Sequence, residues 1–140
     1  MNTQLEIINR LNDIYPGLDL QEHIDPYSTY DAENDRYIVE IKSRTAEYDS
    51  WIIEKKKFDS NIIKSVETGK TFVYLSEYNG KIMTWNIHRL VRKNYDFKWE
   101  ERSMPKTTEF LDNESITKQV GYLYEQDAKI HKEKEWAIYQ

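Results

Sequence analysis

A short stretch of this chain carries carboxylates and a lysine at a spacing that could support chemistry on phosphodiesters. Glu40 and Lys42 lie in the run RYIVEIKSR at 36–44, which is typical of a β-strand. Two-residue spacing in a strand points both side chains to one face, roughly 7 Å apart. Asp31 comes nine positions before Glu40, and the polar residues 33–35 favour a turn between them. A hairpin that turns there would bring Asp31 close to Glu40.

Two carboxylates and a lysine that converge at a sheet edge suit the hydrolysis of a phosphodiester. Asp31 and Glu40 offer hard oxygen ligands to Mg²⁺, with Mn²⁺ as an expected substitute, and Mg²⁺ keeps several water ligands in proteins. The cation would lower the pKa of a bound water and offset charge that develops on the phosphate. Lys42 could orient or deprotonate that water, or act as a fixed cation. The alternative is a strand whose polar face simply carries an exposed Glu–Lys–Arg series.

The acid-x-Lys tripeptide alone is weak evidence, because it occurs four times in the chain. Chance predicts about 2.5 matches from the composition. Only Glu40–Lys42 lies in a β-branched strand that follows a strand bearing an aspartate. Two other acids compete with Asp31 for a role in the site. We expect Asp35 at the surface, because it lies in the predicted turn, and Asp25, beside Pro26, as a turn residue.

Periodicity and turn residues predict the elements that position these side chains. A capping box at Thr3–Glu6 starts an amphipathic helix over residues 4–14. In the strand at 36–44, a mostly apolar face made by Tyr37, Val39, Ile41 and Ser43 lies opposite the face of Ile38, Glu40, Lys42 and Arg44. Its hairpin partner is predicted over 27–32. Asn79-Gly80 joins two further strands, 71–78 and 81–87, in a second hairpin.

The remaining segments complete a mixed pattern of helices and strands. A second helix is predicted from about Asp49 to Glu67, and its candidate core residues are Trp51, Phe58, Ile62 and Val66. A short helix or loop is expected over 88–97, strands at 98–103 and 118–124, and a terminal helix at 125–136. This order indicates a single α/β (α+β) domain over residues 1–140, with a central mixed sheet flanked by helices.

Composition and missing motifs exclude several classes of protein. The chain has 140 residues and no cysteine, so disulfides and thiolate metal sites are excluded. No apolar run is long enough for a membrane span, and we expect a cytoplasmic protein. The net charge of −5 argues against bulk coating of nucleic acid, although an acidic first quarter is followed by a basic middle. Phosphate-loop, dinucleotide and hydrolase-elbow motifs are absent, and the isolated His23, His88 and His131 lack zinc-site spacing.

A second basic stretch interleaves cations with aromatic rings: Arg89, Arg92, Lys93, Tyr95 and Trp99. Such a stretch can grip a nucleic-acid backbone and stack bases. Leu90 and Val91 lie inside it, which favours a partly buried amphipathic segment instead.

The segments STYDA and RYIVEIKSR together resemble the core of the PD-(D/E)xK nuclease superfamily, whose fold is called restriction-endonuclease-like. Its signature is an aspartate on one strand and Glu-x-Lys on the next, after an N-terminal helix. The segments WIIEKKKFDSNI, GKTFVYLSEYNGKIMTWNI and MPKTTEF are similar to small phage-type members. The resemblance covers roughly residues 1–125 and is close only over 27–44. One departure is Tyr30, which stands where the signature often has a proline.

The resemblance implies roles for individual residues. Asp31 and Glu40 would be metal ligands, with the backbone carbonyl of Ile41 as a third and Lys42 as the catalytic lysine. Glu6 on the first helix, or alternatively Glu22, would match the helical acid of some members. Within the lysine run, Lys57 best matches a recurring lysine, and the residues expected to contact phosphates are Arg44, Lys57 and Lys56.

The implied function is a Mg²⁺-dependent DNA endonuclease of phage or prophage origin. The small size leaves no room for a separate recognition domain, which favours a structure-specific enzyme such as a junction resolvase. A homodimer would allow paired cuts, by analogy alone. The alternative is a catalytically silent nuclease-fold module that binds DNA or a protein partner. The net charge of −5 favours that alternative, whereas the intact Asp…Glu-x-Lys set argues against it.

Overall fold

Two β-sheets and three α-helices form the part of the chain that the computed structural model describes, residues 3–46, 48–105 and 115–132. This confirms the predicted mixture of helices and strands. The helices are α1 (Gln4–Ile14), α2 (Lys55–Thr68) and α3 (Ile87–Arg92). The strands are β1 (Gln21–Glu22), β2 (Ala32–Glu33), β3 (Tyr37–Arg44), β4 (Trp51–Glu54), β5 (Thr71–Tyr78), β6 (Lys81–Asn86), β7 (Glu100–Pro105), β8 (Ser115–Leu123) and β9 (Lys129–His131).

The central sheet is mixed, as predicted, with the strand order β1-β2-β3-β5-β6-β9. β2 and β3 form the expected antiparallel hairpin, with Ala32 opposite Val39. β3 then runs parallel to β5, so the chain must cross over between them, and it does so through β4 and α2. β5 and β6 form the second hairpin, whose turn residues Asn79 and Gly80 both have positive φ.

The alternation of β3 separates two apolar cores, and its predicted faces are confirmed. Val39 and Ile41 face α1, where Ile7, Ile8 and Leu11 are buried against them. The hydroxyl of Thr3 caps this helix by accepting from the Glu6 N–H at 3.2 Å. Ile38 faces the other way, into a core that Phe72, Tyr74 and Trp85 share with Trp51, Ile53 and Leu123.

The second sheet, in the order β4-β8-β7, covers the face of β3 that carries Ile38 and Glu40. The prediction of a helix from Asp49 was wrong over residues 51–54, which form β4. Trp51 and Ile53 are buried at alternate positions, and this period of two fits a strand that pairs with β8. Val66 was wrongly predicted in the core, since it is 75% exposed. Phe58 and Ile62 pack against the core as expected.

A close approach of an aromatic segment fixes the second sheet in place. Phe97 and Trp99 lie so near β8 that a Cβ atom at Gly121 would stand 2.8 Å from a ring carbon of Trp99. Real Cβ contacts are not that short, so only glycine fits at this position in the strand.

Two other predicted elements were wrong in type or extent. The terminal helix is replaced over the described residues by a 3₁₀ turn (Glu125–Asp127) and by β9, which pairs with β6. Residues 133–136 of that prediction lie outside the described part of the chain. The strand expected over 27–32 is only β2, because Asp25–Ser28 forms a turn in which the Asp25 carboxylate accepts from the Tyr27 N–H. No helix within the described ranges has the length and apolar character needed to cross a bilayer.

Candidate active site

Glu40 is the centre of the candidate site, and its carboxylate is buried with one oxygen lacking a hydrogen-bond partner in the described residues. Its side chain on β3 lies beneath the second sheet and the residue is 3% exposed. Oε1 has no hydrogen-bond partner in the described part of the chain, and Oε2 lies 3.9 Å from Lys42 Nζ. Burial raises the pKa of Glu40 to about 7, even though Lys42 and Lys57 act to lower it. A buried carboxylate with an unsatisfied oxygen is costly unless a ligand completes it.

Asp31 lies at the edge of the hairpin beside Glu40. Its N–H donates to the Val39 carbonyl at 2.7 Å, and its Oδ2 accepts from the Ile41 N–H at 2.7 Å. The N–H and C=O of a strand residue point to the same side, so the Ile41 carbonyl faces the edge that holds the Asp31 carboxylate. The charge of Asp31 also raises the pKa of Glu40. The three predicted metal-ligating groups therefore come from adjacent positions of one hairpin.

The pKa values of two lysines beside Glu40 are shifted in opposite directions. Burial, and then the charge of Lys57, lower the pKa of Lys42 below its usual value. Burial would also lower the pKa of Lys57, but Glu40 and Glu54 outweigh it, and the pKa of Lys57 is raised. Opposed pKa shifts of this kind separate the roles of neighbouring groups. Lys57 remains a fixed cation, whereas Lys42 is the amine that gives up a proton more readily.

Glu54 and Lys118 belong to the same charge network, and the sequence reasoning missed both. Lys118 Nζ donates to Glu54 Oε1 at 2.8 Å, and Lys57 Nζ lies 3.5 Å from Oε2. Burial alone would raise the pKa of Glu54, but the hydrogen bond from Lys118 and the charge of Lys57 lower it. Recognising β4 as a strand would have pointed to Glu54, because its register partner is Val120, two residues from Lys118.

Unsatisfied polar atoms gather on this face of the sheet. The register of β3 and β5 places Tyr74 beside Glu40 and Ser76 beside Lys42. Arg44 Nη2 donates to the Tyr74 hydroxyl at 3.2 Å, and that hydroxyl donates to the Ile52 carbonyl. Within the described residues, three buried side-chain polar atoms lack a partner, and all lie on this face: Glu40 Oε1, Arg44 Nε and Ser76 Oγ. Buried polar atoms are normally paired, so unmet hydrogen-bonding capacity in the described residues is concentrated on this face.

The structure does not bring every predicted residue to Glu40. Glu6 is exposed and hydrogen-bonds to Thr3 at the start of α1, whose apolar side packs on the opposite face of the sheet. Glu22 pairs in register with Ala32 and accepts from Gln4 at 3.1 Å, so its hydrogen bond is also made with α1. Lys56 is exposed. Asp35 is exposed near the turn, as expected.

Asp31, Glu40 and the Ile41 carbonyl fit a cation that brings its own waters. Across residues 3–46, 48–105 and 115–132, no group of three or more Asp, Glu or His side chains is arranged to hold a metal ion. Mg²⁺ is commonly held by one or two carboxylates and retains several waters, so it does not require such a group. Glu40 Oε1, which has no hydrogen-bond partner among the described residues, is the oxygen that would coordinate such a cation.

Comparisons of this chain with protein-family models, with curated proteins and with solved structures find no match. The functional assignment therefore depends on the geometry around Glu40 and on the residues that resemble the nuclease signature.

Proposed function

We propose that this protein is a divalent-metal-dependent endonuclease that hydrolyses DNA phosphodiester bonds, of phage or prophage type. The observation that carries the proposal is the buried Glu40, whose Oε1 is unpaired and whose pKa is raised to about 7 beside a lysine of lowered pKa. Strongly shifted ionisable groups with a specific charge partner are typical of functional sites.

Mg²⁺ or Mn²⁺ would be held by Asp31, Glu40 and the carbonyl of Ile41. When bound there, the cation would activate a water and offset charge on the phosphate. Glu40 gains most from such a ligand, because the cation replaces the partner that its Oε1 lacks. Asp31 is already oriented by the Ile41 N–H, so it contributes a carboxylate whose position is fixed in advance.

The cationic side chains would accept the proton of the attacking water and bind the phosphate. Lys42 would accept a proton from the attacking water, because burial and the charge of Lys57 lower its pKa. Lys57 stays protonated and would stabilise negative charge that develops on the phosphate. Arg44 has an unpaired Nε and a guanidinium suited to two-point contact with a phosphate.

The order of the elements also supports the proposal. An aspartate directly before β2, Glu-x-Lys on β3 and a lysine-bearing α2 before β5 follow the pattern that the resemblance implies. The single domain favours a structure-specific nuclease of junction-resolvase type, and a homodimer would permit paired cuts. The competing possibility is a silent nuclease-fold module that binds DNA or a protein, which the net charge of −5 favours.

The test is cleavage of a labelled panel of four-way junction, flap, single strand and plain duplex, with Mg²⁺ or Mn²⁺. Glu40→Gln and Lys42→Ala should each lower the rate on the preferred substrate at least about a hundredfold. Matched controls are Glu67→Gln and Lys64→Ala, because both residues are exposed on α2. The controls should cleave as the wild type does. Equal activity in all five proteins would indicate a contaminant, and the silent module would then replace the nuclease.

A further inference from the structure

A cavity lies on the opposite face of the central sheet from Glu40. Its volume is about 910 Å³, within the range of small-molecule sites. Its apolar floor is formed on β3 and β5 beside the core that α1 covers, where Tyr37 and Val73 are partly exposed. Side chains on this face of the two neighbouring strands lie side by side, because adjacent strands are about 4.8 Å apart. Such a floor suits a planar ring.

Aromatic side chains surround this apolar floor. Tyr15, Tyr37 and Tyr95 all line the cavity. Two of these rings are anchored by their hydroxyl groups, because Tyr15 hydrogen-bonds to His131 at 2.7 Å and Tyr95 donates to the Tyr122 carbonyl at 2.8 Å. Anchored tyrosine rings are suited to stacking against nucleobases, which works with every base.

The rim of the cavity is cationic although the chain as a whole has a net charge of −5. Arg36, Arg89, Lys93 and Lys129 line it, and the sole carboxylate among the described lining residues is Asp127. Burial lowers the pKa of His131 to about 4, so this ring adds no charge at neutral pH. Neither arginine, nor Lys93, forms an ion pair with another residue in the described ranges. Four cations and a single carboxylate among the described residues that line one cavity favour an anionic ligand.

We propose that this cavity binds a nucleoside phosphate. The base lies on the apolar floor among the tyrosines, and the phosphate is held at the rim by guanidinium and ammonium groups. Arginine pairs with phosphate through two parallel hydrogen bonds, which favours Arg36 and Arg89 as its main contacts. The sheet separates this cavity from Glu40, so the two sites are independent and the proposal does not require nuclease activity.

The test is calorimetric titration in EDTA with AMP, GMP, CMP and UMP, and with adenosine and inorganic phosphate separately. At least one nucleotide should bind at least tenfold more tightly than either half alone. Arg89→Ala and Lys93→Ala should each weaken that binding at least fivefold. Arg92→Ala is the matched control, because Arg92 is exposed on the same helix but does not line the cavity. It should bind within twofold of the wild type.

Three results would overturn the proposal. The first is no binding of any nucleotide at 5 mM, which is about the weakest affinity a specific site would show. The second is inorganic phosphate binding as tightly as the nucleotide, which would mean simple attraction of counter-ions. The third is an equal loss in Arg92→Ala, which would mean that the whole charge of α3 matters rather than the cavity. All three substitutions are at exposed positions, so each variant is expected to fold.

Discussion

Two glutamates are buried in the central sheet, and they differ in how completely their oxygens are paired. Glu40 on β3 is 3% exposed and Glu77 on β5 is 1% exposed, and they face opposite sides of the sheet. Glu77 Oε2 accepts from the Ser43 hydroxyl at 3.0 Å, and its Oε1 accepts from the Gly80 N–H at 2.9 Å. Glu40 Oε1 has no such partner in the described ranges. Depth of burial is therefore alike for the two carboxylates, and the pairing of their oxygens is what differs.

The largest expected effect is a difference in the free energy of unfolding between variants of these two residues. Glu77→Ala removes the acceptor of two hydrogen bonds and should lower the free energy of unfolding by about 4 kcal/mol. Glu40→Ala leaves a similar cavity but also removes a carboxylate whose Oε1 is unpaired in the described ranges, so its cost should be the smaller of the two. Urea denaturation at pH 7 without divalent cations measures both. Equal losses would mean that Glu40 is as well satisfied as Glu77.

The free energy of unfolding should depend on pH because the carboxylate of Glu40 is buried with one oxygen unpaired among the described residues. Folding raises the pKa of Glu40 from 4.5 to about 7, so the folded state favours its protonated form. Its contribution to stability is full below about pH 4.5 and is lost as the pH rises through about 7, by up to about 3 kcal/mol. The difference in unfolding free energy between wild type and Glu40→Gln should therefore fall across this window. Parallel curves for the two proteins would contradict the raised pKa.

Divalent cations should stabilise the Glu77 variant against unfolding but not the Glu40 variant. Mn²⁺ at a hundredfold excess over its dissociation constant should raise the free energy of unfolding of the wild type by about 2.7 kcal/mol. Glu77→Ala should keep this increase, whereas Glu40→Ala and Asp31→Ala should lose it. Thermal melts with and without Mn²⁺ provide the measurement. An increase that persists in Glu40→Ala would place the cation elsewhere.

The smallest effect should distinguish the lysines of α2. Lys57 lies against Glu54 and Glu40, whereas Lys64 is exposed. Lys57→Ala should weaken DNA binding about fivefold and reduce the salt dependence of the affinity by about one phosphate contact. Lys64→Ala should do neither, as fluorescence anisotropy over a salt series can establish. Identical salt slopes for the two variants would mean that Lys57 makes no contact with a DNA phosphate.

Local signals predicted the parts of the fold that depend on neighbouring residues. The capping box of α1, the Asn79-Gly80 turn and the alternation of β3 are each decided within a few residues. β4 was missed because its stabilising partner, β8, lies far along the chain. The terminal segment looked helical because its polar residues carry little strand signal, yet Lys129–His131 pairs at the edge of the sheet. Strand pairing across long distances overrides local preference.

The candidate site also has one part that depends on neighbouring residues and another part that depends on long-range strand pairing. The proximity of Asp31, Glu40 and Lys42 could be predicted because all three belong to one hairpin segment. Glu54, Lys118 and Ser76 join them only through the pairing of β4 with β8 and the register of β3 with β5. Glu6 and Glu22 were the two alternatives for a helical acid; Glu6 hydrogen-bonds to the N-cap residue Thr3, whereas Glu22 lies in β1 and accepts from Gln4 of α1.

The pairing of β4 with β8 also has a consequence for a chain that is still on the ribosome. Synthesis delivers the Asp…Glu-x-Lys hairpin early, but β8 must emerge before β4 has its partner and Trp51 meets Leu123. Until then water reaches Glu40, and a hydrated carboxylate ionises in its ordinary range. The chemical character of the site is thus acquired late in translation. A nascent chain arrested before residue 115 carries the signature residues without the enclosed environment that shifts their proton affinities.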